Sequence, residues 1–251
     1  MVQVTWVGHS TVLVDIDGYR VITDPLLTRR VAHLRRRTAV PAPDVAEVDL
    51  ILLSHAHMDH LHVPSLRRFD TAVSVITTRG TASLLGGIGF RDVTEVELGE
   101  RVPIGSVIVE ITEAVHKPGR GPHSRVVAPP VGYIIEAGGQ RIYFPGDTDL
   151  FDGMADLAPV DVALLPIWGW GQNLGTGHLD PKRAAQATAR IKPRVVVPIH
   201  WGTYAPEDGR RRIPTWFQNP VSQFREELEH IGEQGRLAKL LPGETLQVHD
   251  A

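Results

Sequence analysis

Apolar residues in this chain fall into short runs of about four to eight, bounded by turn residues, which is the pattern of strands. Val2–Val7, Thr11–Ile16 and Tyr19–Thr23 read as the first three, with Asp17-Gly18 turning the last two into a hairpin. Asp49–Leu53, Val73–Thr77 and Val93–Leu98 follow. Val107–Val115, Val131–Glu136, Arg141–Phe144, Val162–Leu165 and the β-branched Arg194–Ile199 extend the pattern through the second half. Pro64–Phe69, Thr81–Leu85 (stopped by Gly86-Gly87) and Leu150–Leu157 suit short helices. Asp180-Pro181 opens a longer helix through Ile191, and Asn219-Pro220 opens one that ends near Ile231-Gly232, each with a polar N-cap and proline at the first helical position. Leu27–Val45 predicts no regular element; it carries Pro41, Pro43 and a cluster of arginines. Two β-rich halves, each with its own helices, predict an α/β fold of four layers, an αββα sandwich, as a single domain over residues 1–251.

Composition narrows the function more than the fold. The chain has 251 residues, 42% hydrophobic and 22% charged, ordinary values for a globular domain. A formal net charge of −3 supplies no basic field for nucleic acid. There are no cysteines, which excludes disulfides and thiolate chemistry and limits any metal site to nitrogen and oxygen donors. The N-terminus opens directly into a strand, with no basic leader, and no run of 18 apolar residues occurs. A cytoplasmic protein without a membrane span is expected, with a homo-oligomer left open.

Candidate chemistry concentrates at the ends of the predicted strands. His55-Ala56-His57-Met58-Asp59-His60 follows Asp49–Leu53 at once. Imidazole nitrogen and carboxylate oxygen are donors that zinc and similar divalent ions take. In an extended loop His55 and His57 point the same way, and a turn at Met58 turns Asp59 and His60 toward a second position. Three more apolar runs lead to a donor: Val107–Val115 to His116, Arg141–Phe144 through Pro145-Gly146 to Asp147, and Arg194–Ile199 to His200. Ligand sites lie beyond the carboxyl ends of strands in parallel and mixed sheets, so these four ends suit one shared site. His123 is the alternative to His116, but it follows a P-G-R-G-P stretch and no strand. His33, His62, His230 and His249 have no such context. Ser54 reads as a strand residue, with no base beside it to make a nucleophile.

The motif H-x-H-x-D-H, with a later His, Gly146-Asp147-Thr148 and a final P-I-H-W-G-T, resembles the metallo-β-lactamase superfamily. Further motifs are Trp6-Val7-Gly8-His9-Ser10, Thr23-Asp24-Pro25, Tyr143-Phe144-Pro145-Gly146-Asp147-Thr148, Gly177-His178-Leu179-Asp180-Pro181 and His200-Trp201-Gly202-Thr203. They are similar to the ascorbate-6-phosphate lactonase and N-acylphosphatidylethanolamine phospholipase D groups. The likeness covers roughly residues 2–205 and specifies the fold far better than the substrate. It implies two divalent ions, one on His55, His57 and His116, the other on Asp59, His60 and His200, with Asp147 bridging. Such paired ions sit roughly 3.5–4 Å apart and generate hydroxide near neutral pH, so Asp59 and Asp147 count as catalytic as well as ligating. Zinc is the default; manganese or iron also suits an all-N/O donor set.

Around that centre the sequence leaves several residues with two readings. Asp24, in T-D-P, resembles the carboxylate that supports a metal-binding histidine, or is an ordinary turn residue. His9 faces the mouth and binds substrate, or is a turn residue. His178 lies two residues before the Asp180 cap and can protonate a leaving group or steady an oxyanion, or is an exposed loop histidine. Arg35 and Arg36, in the run Arg29, Arg30, Arg35, Arg36 and Arg37, suit an anionic substrate, or belong to a solvated loop, as do Arg210, Arg211 and Arg212. Trp168, with Trp170, Trp201 and Trp216, forms a pocket wall or packs in the core.

The expected activity is hydrolysis of a lactone, other ester or phosphodiester in a small anionic molecule. A phospholipase D-like activity on lipid ranks behind it, because no amphipathic membrane-docking helix is evident. An RNA-processing nuclease of the same fold and a metal-binding module without catalysis are the other classes.

Overall fold

The computed structural model describes residues 2–39, 47–121, 124–169, 174–206, 217 and 219–248. Pro41, Pro43, His123, Trp170, Arg210, Arg211, Arg212, Trp216 and His249 lie outside them. The first sheet has seven strands: β1 (Val2–Gly8), β2 (Thr11–Ile16), β3 (Tyr19–Thr23), β6 (Leu50–Leu53), β7 (Ser74–Thr78), β8 (Val93–Val96) and, at one edge, β16 (Thr245–Val248). The second has six: β9 (Arg101–Ile104), β10 (Val107–Glu113), β11 (Val131–Ala137), β12 (Gln140–Phe144), β13 (Val162–Pro166) and β14 (Val195–Ile199).

Strand alternation builds the layers. In β6, Leu50 and Leu52 join the core shared by the two sheets, while Ile51 and Leu53 face outward. Val12, Val14 and Ile16 of β2 face inward in the same way, with Leu13 outward. The outward set packs under α1 (Val63–Leu66) and α2 (Ala82–Gly86) through Leu66 and Leu85. On the second sheet, α3 (Pro181–Ile191) and α4 (Asn219–His230) bury Ala184, Ala187, Ile191, Phe224 and Leu228. The four-layer αββα arrangement is therefore the observed one. Asp180 caps α3 as expected, its carboxylate accepting from the Arg183 N–H, with Pro181 next.

Some elements depart from the sequence reading. Leu27–Val45 contains a hairpin of β4 (Arg30–Val31) and β5 (Leu34–Arg36), which β15 (Tyr204–Pro206) extends into a third, three-stranded sheet. These strands are too short to show a period. Strand β9 was hidden by Pro103, tolerated because β9 is an edge strand, and β16 is the half-exposed opposite case on the first sheet. Strand β10 stops at Glu113, leaving two residues before His116, and the second of those two is pinned elsewhere: Val115 donates to Thr148 Oγ1 and accepts from Asp149 N–H.

The topology fixes where function can sit. Strands β3, β6, β7 and β8 pair in parallel, and β1 shares their direction. Strands β10, β12, β13 and β14 likewise share one direction in the second sheet. The carboxyl ends of β1, β3, β6, β10, β12 and β14 lead to His9, Asp24, the His55–His60 loop, His116, Asp147 and His200 respectively. Two cross-sheet bonds tie these ends together: Val131 N–H to the Ser54 carbonyl at 3.0 Å and Tyr133 Oη–H to the Leu53 carbonyl at 2.7 Å.

Candidate metal centre

Two groups of donors face each other between the sheets. In the first, His57 Nδ1 lies 3.0 Å from both His55 Nε2 and His116 Nε2. In the second, ligand atoms of Asp59, His60, His200 and also His9 lie within 4.8 Å of one another. Asp147 stands between the groups. Its Oδ2 is 3.4 Å from His60 Nε2 and 3.9 Å from His116 Nε2, and its Oδ1 is 3.3 Å from His200 Nε2. Gly146 permits this approach: its φ is +61°, and a Cβ there would lie 2.4 Å from Ser54 Cβ.

In His55, His60 and His116 the other ring nitrogen is held from behind, which fixes the tautomer. Asp24 is fully buried; its Oδ2 accepts from His60 Nδ1–H at 2.7 Å and from Ser54 Oγ–H at 2.6 Å, and its Oδ1 from Ser54 N–H at 2.8 Å. Having donated to Asp24, Ser54 Oγ accepts from His55 Nδ1–H at 2.9 Å. His116 Nδ1–H donates to the Gly177 carbonyl at 2.5 Å. Each arrangement leaves Nε2 with its lone pair aimed into the centre, the usual support for a metal-bound histidine.

The charges also suit cations. Burial alone would raise the carboxyls of Asp59 and Asp147, but the histidines around them hold both well below the usual range. Burial and neighbouring imidazoles lower His57 to about 4 and hold His55 well below its ordinary value. Burial likewise lowers His116 and His200. His60 goes the other way: burial disfavours its charge, but Asp147, Asp59 and Asp24 override it and raise its pKa. The carboxylates thus demand positive charge at His60. His60 Nε2 and Asp147 Oδ1 are buried without a hydrogen-bond partner among the described residues. Neutral imidazoles at His55, His57, His116 and His200, ionised carboxylates and orphaned donor atoms fit divalent cations.

His178 is at the rim, 28% exposed, with Nε2 3.7 Å from Asp147 Oδ2 and its ring edge-on to His116. His9 is buried, its Nε2 3.2 Å from Asp59 Oδ2; burial and His200 lower its pKa to about 3.

Arg36 takes neither of the places that the sequence left open, and Trp168 takes the second of its two. Arg36 is 6% exposed, and its guanidinium donates to the carbonyls of Val7, Ala39 and Leu26 while lying 5.5 Å from the Tyr204 ring centre. It holds the third sheet to β1 and is not available as a substrate anchor. Alternation in β5 turns Arg35 to the opposite, exposed face. Trp168 packs in the core, edge-on to Phe217 at 6.3 Å, and is not an exposed wall.

Three supporting residues went unseen in the sequence. Ser54 links Asp24 to His55. Arg120 Nη1 donates to the carbonyls of Ala56 at 2.9 Å and Leu61 at 3.0 Å, clamping both ends of the metal loop. Asp149 accepts from Gly177 N–H at 2.9 Å and pairs with Arg183, holding the loop that carries His178. Only Asp149, in the run G-D-T-D, had a visible signal. A groove of about 650 Å³ leads away from His116, lined by Val96, Leu98, Val115, Pro129 and Pro130 among others.

Comparison with known proteins gives the family. Residues 19–201 match the family model described as the beta-lactamase superfamily domain. A UPF0173 metal-dependent hydrolase of Methanopyrus kandleri is 31% identical over 98% of this chain and 99% of its own length. One from Thermococcus kodakarensis is 30% identical over 99% and 100%. Among solved structures, a metallo hydrolase from Ignicoccus hospitalis superposes with a TM-score of 0.73 at 25% identity, over 100% of this chain and 99% of that one. A metallo-beta-lactamase fold protein from Bacillus subtilis gives 0.70 at 13% identity, over 98% of each. Fold, donor set and relatives together make this chain a member of the beta-lactamase superfamily and, within it, of the UPF0173 metal-dependent hydrolase family.

Proposed function

We propose that this metal-dependent hydrolase works with two divalent cations, one on His55, His57 and His116, the other on Asp59, His60 and His200, with Asp147 shared. The supporting observation is the Asp147 carboxylate, whose oxygens lie within 3.4 Å of His60 and His200 and 3.9 Å of His116. Such a pair supplies Lewis acidity and an activated water. The chain's own residues do the rest. Asp24 and Ser54 orient His60 and His55, the Gly177 carbonyl orients His116, and Arg120 fixes the loop. His178 is read as the group that delivers a proton or hydrogen bond to the leaving oxygen, because it is partly exposed at the rim and belongs to neither proposed ligand set.

The substrate we favour is a small anionic lactone, other ester or phosphodiester, in line with the resemblance to the lactonase group. The groove beside His116 favours a second reading, a phosphodiester with an apolar tail as in the phospholipase D group, since Leu98 is 63% exposed along it. One substrate panel tests both. Apo protein reloaded with Zn²⁺ or Mn²⁺ is assayed on lactones, bis-aryl phosphodiesters, thioesters and β-lactams, alone and with alkyl chains attached. Turnover of lactones or phosphodiesters, abolished in Asp147→Ala, supports the reading; chain-length preference selects the second. No turnover of any member by fully loaded protein overturns it in favour of a non-catalytic module.

A further inference from the structure

We propose that His9 is an additional protein ligand of the second cation, which makes the two metal positions unequal. The proposal rests on the two-cation reading. Four protein donors then serve the first position: His55, His57, His116 and Asp147. Five serve the second: Asp59, His60, His200, Asp147 and His9.

The backbone around His9 is the main argument. His9 has φ of +55°, an uncommon conformation for a residue with a Cβ. Three hydrogen bonds enforce it. Its N–H donates to Thr203 Oγ1 at 3.0 Å, and its carbonyl accepts from His200 N–H at 2.9 Å and Trp6 Nε1–H at 2.9 Å. A held, sparsely populated conformation next to a reactive centre points to a side chain that must be aimed. Here it aims a buried imidazole into the second group, with ring centres 4.0 Å from His200 and 5.1 Å from His60 and Nε2 3.2 Å from Asp59 Oδ2. His200 shares the device, with φ of +62°. The bond from His200 N–H to the His9 carbonyl links the two donors directly, one from each main sheet.

Five protein donors exceed the four that zinc usually takes. A donor set of that size would suit a six-coordinate ion such as Mn²⁺ or Fe²⁺ better than four-coordinate zinc. The second position would then accept Mn²⁺ or Fe²⁺ more readily than the first does, and the first would be the more selective for Zn²⁺.

The test titrates full-length apo protein with Mn²⁺ and with Zn²⁺, by calorimetry and, for Mn²⁺, by electron paramagnetic resonance. His9→Asn removes the imidazole yet tolerates the left-handed backbone. His9→Gln keeps a hydrogen-bond donor of similar reach. Both variants are expected to weaken Mn²⁺ binding at one position about tenfold or more while leaving one Zn²⁺ site intact. Cadmium-loaded protein with labelled histidine should show metal–nitrogen coupling at His9. Wild-type affinity in His9→Gln, with loss in His9→Asn and no coupling, would show that His9 only orients Asp59 and overturn the proposal. Unchanged binding in both variants also overturns it. If wild-type protein binds one ion only, the two-cation reading fails, and coupling at His9 still decides whether His9 is a ligand.

Discussion

His60 Nδ1 and Asp24 Oδ2 lie 2.7 Å apart, with both side chains fully buried and β3 and β6 holding them at adjacent carboxyl ends. The bond fixes which nitrogen of His60 faces the donor cluster. It also puts a negative charge behind the ring and raises its basicity as a ligand.

Asp24→Asn should therefore weaken the second of the two proposed cation positions by roughly 10–100-fold without removing a ligand. Equilibrium dialysis checks this. Unaltered affinity at both positions would reduce Asp24 to a structural group that ties Ser54 to the turn.

His178→Ala should keep full metal occupancy and lose roughly 10²–10³ in kcat. The loss should shrink for substrates whose leaving group needs no proton. Because His178 Nε2 lies 3.7 Å from Asp147, metal content must be measured beside kinetics. A lost ion makes His178 a ligand; unchanged kcat for every leaving group makes it a loop residue.

Arg36→Ala should act on stability. Its guanidinium is committed to backbone carbonyls, and charged hydrogen bonds of this kind are worth about 1.5–3 kcal/mol each, so a loss of roughly 2–3 kcal/mol is expected. Chemical denaturation measures it. A KM that rises for a phosphorylated substrate and not for a neutral one, at normal stability, would return Arg36 to substrate binding. Arg35→Ala, on the exposed face, should leave stability nearly unchanged.

Apo protein should lose stability as pH falls from about 6.5 toward 4. Burial lowers His9 to about 3 and His57 and His62 to about 4 in the folded state, from an ordinary 6.5. In that window the unfolded chain takes up protons that the folded one refuses, so unfolding gains. His60, raised in the folded state, changes its contribution above 6.5 and leaves this window unaffected. The urea midpoint of metal-free protein should be lower at about pH 4.5 than at about pH 6, both inside that window; an equal or higher midpoint would contradict the buried-neutral state of these histidines.

The strand runs, the αβ layering and the seven residues from His55 to His200 were legible because each is a local signal. A period of two marks a strand, and a donor directly after a strand lies at its carboxyl end whatever the rest of the chain does. Asp180-Pro181 was readable for the same reason. Tertiary structure alone decided the relations between distant segments. Arg36 and Val7 are 29 residues apart, Arg120 and Ala56 64, His9 and Thr203 194. No local pattern encodes which of two arginines turns inward on a two-stranded hairpin, or that a glycine before Asp147 must let Ser54 approach. Those outcomes follow from how two sheets, each with its own twist and edges, bring their strand ends together. That is why the sequence by itself determined which residues could hold a cation, and the fold decided how they are divided and what holds each of them in place.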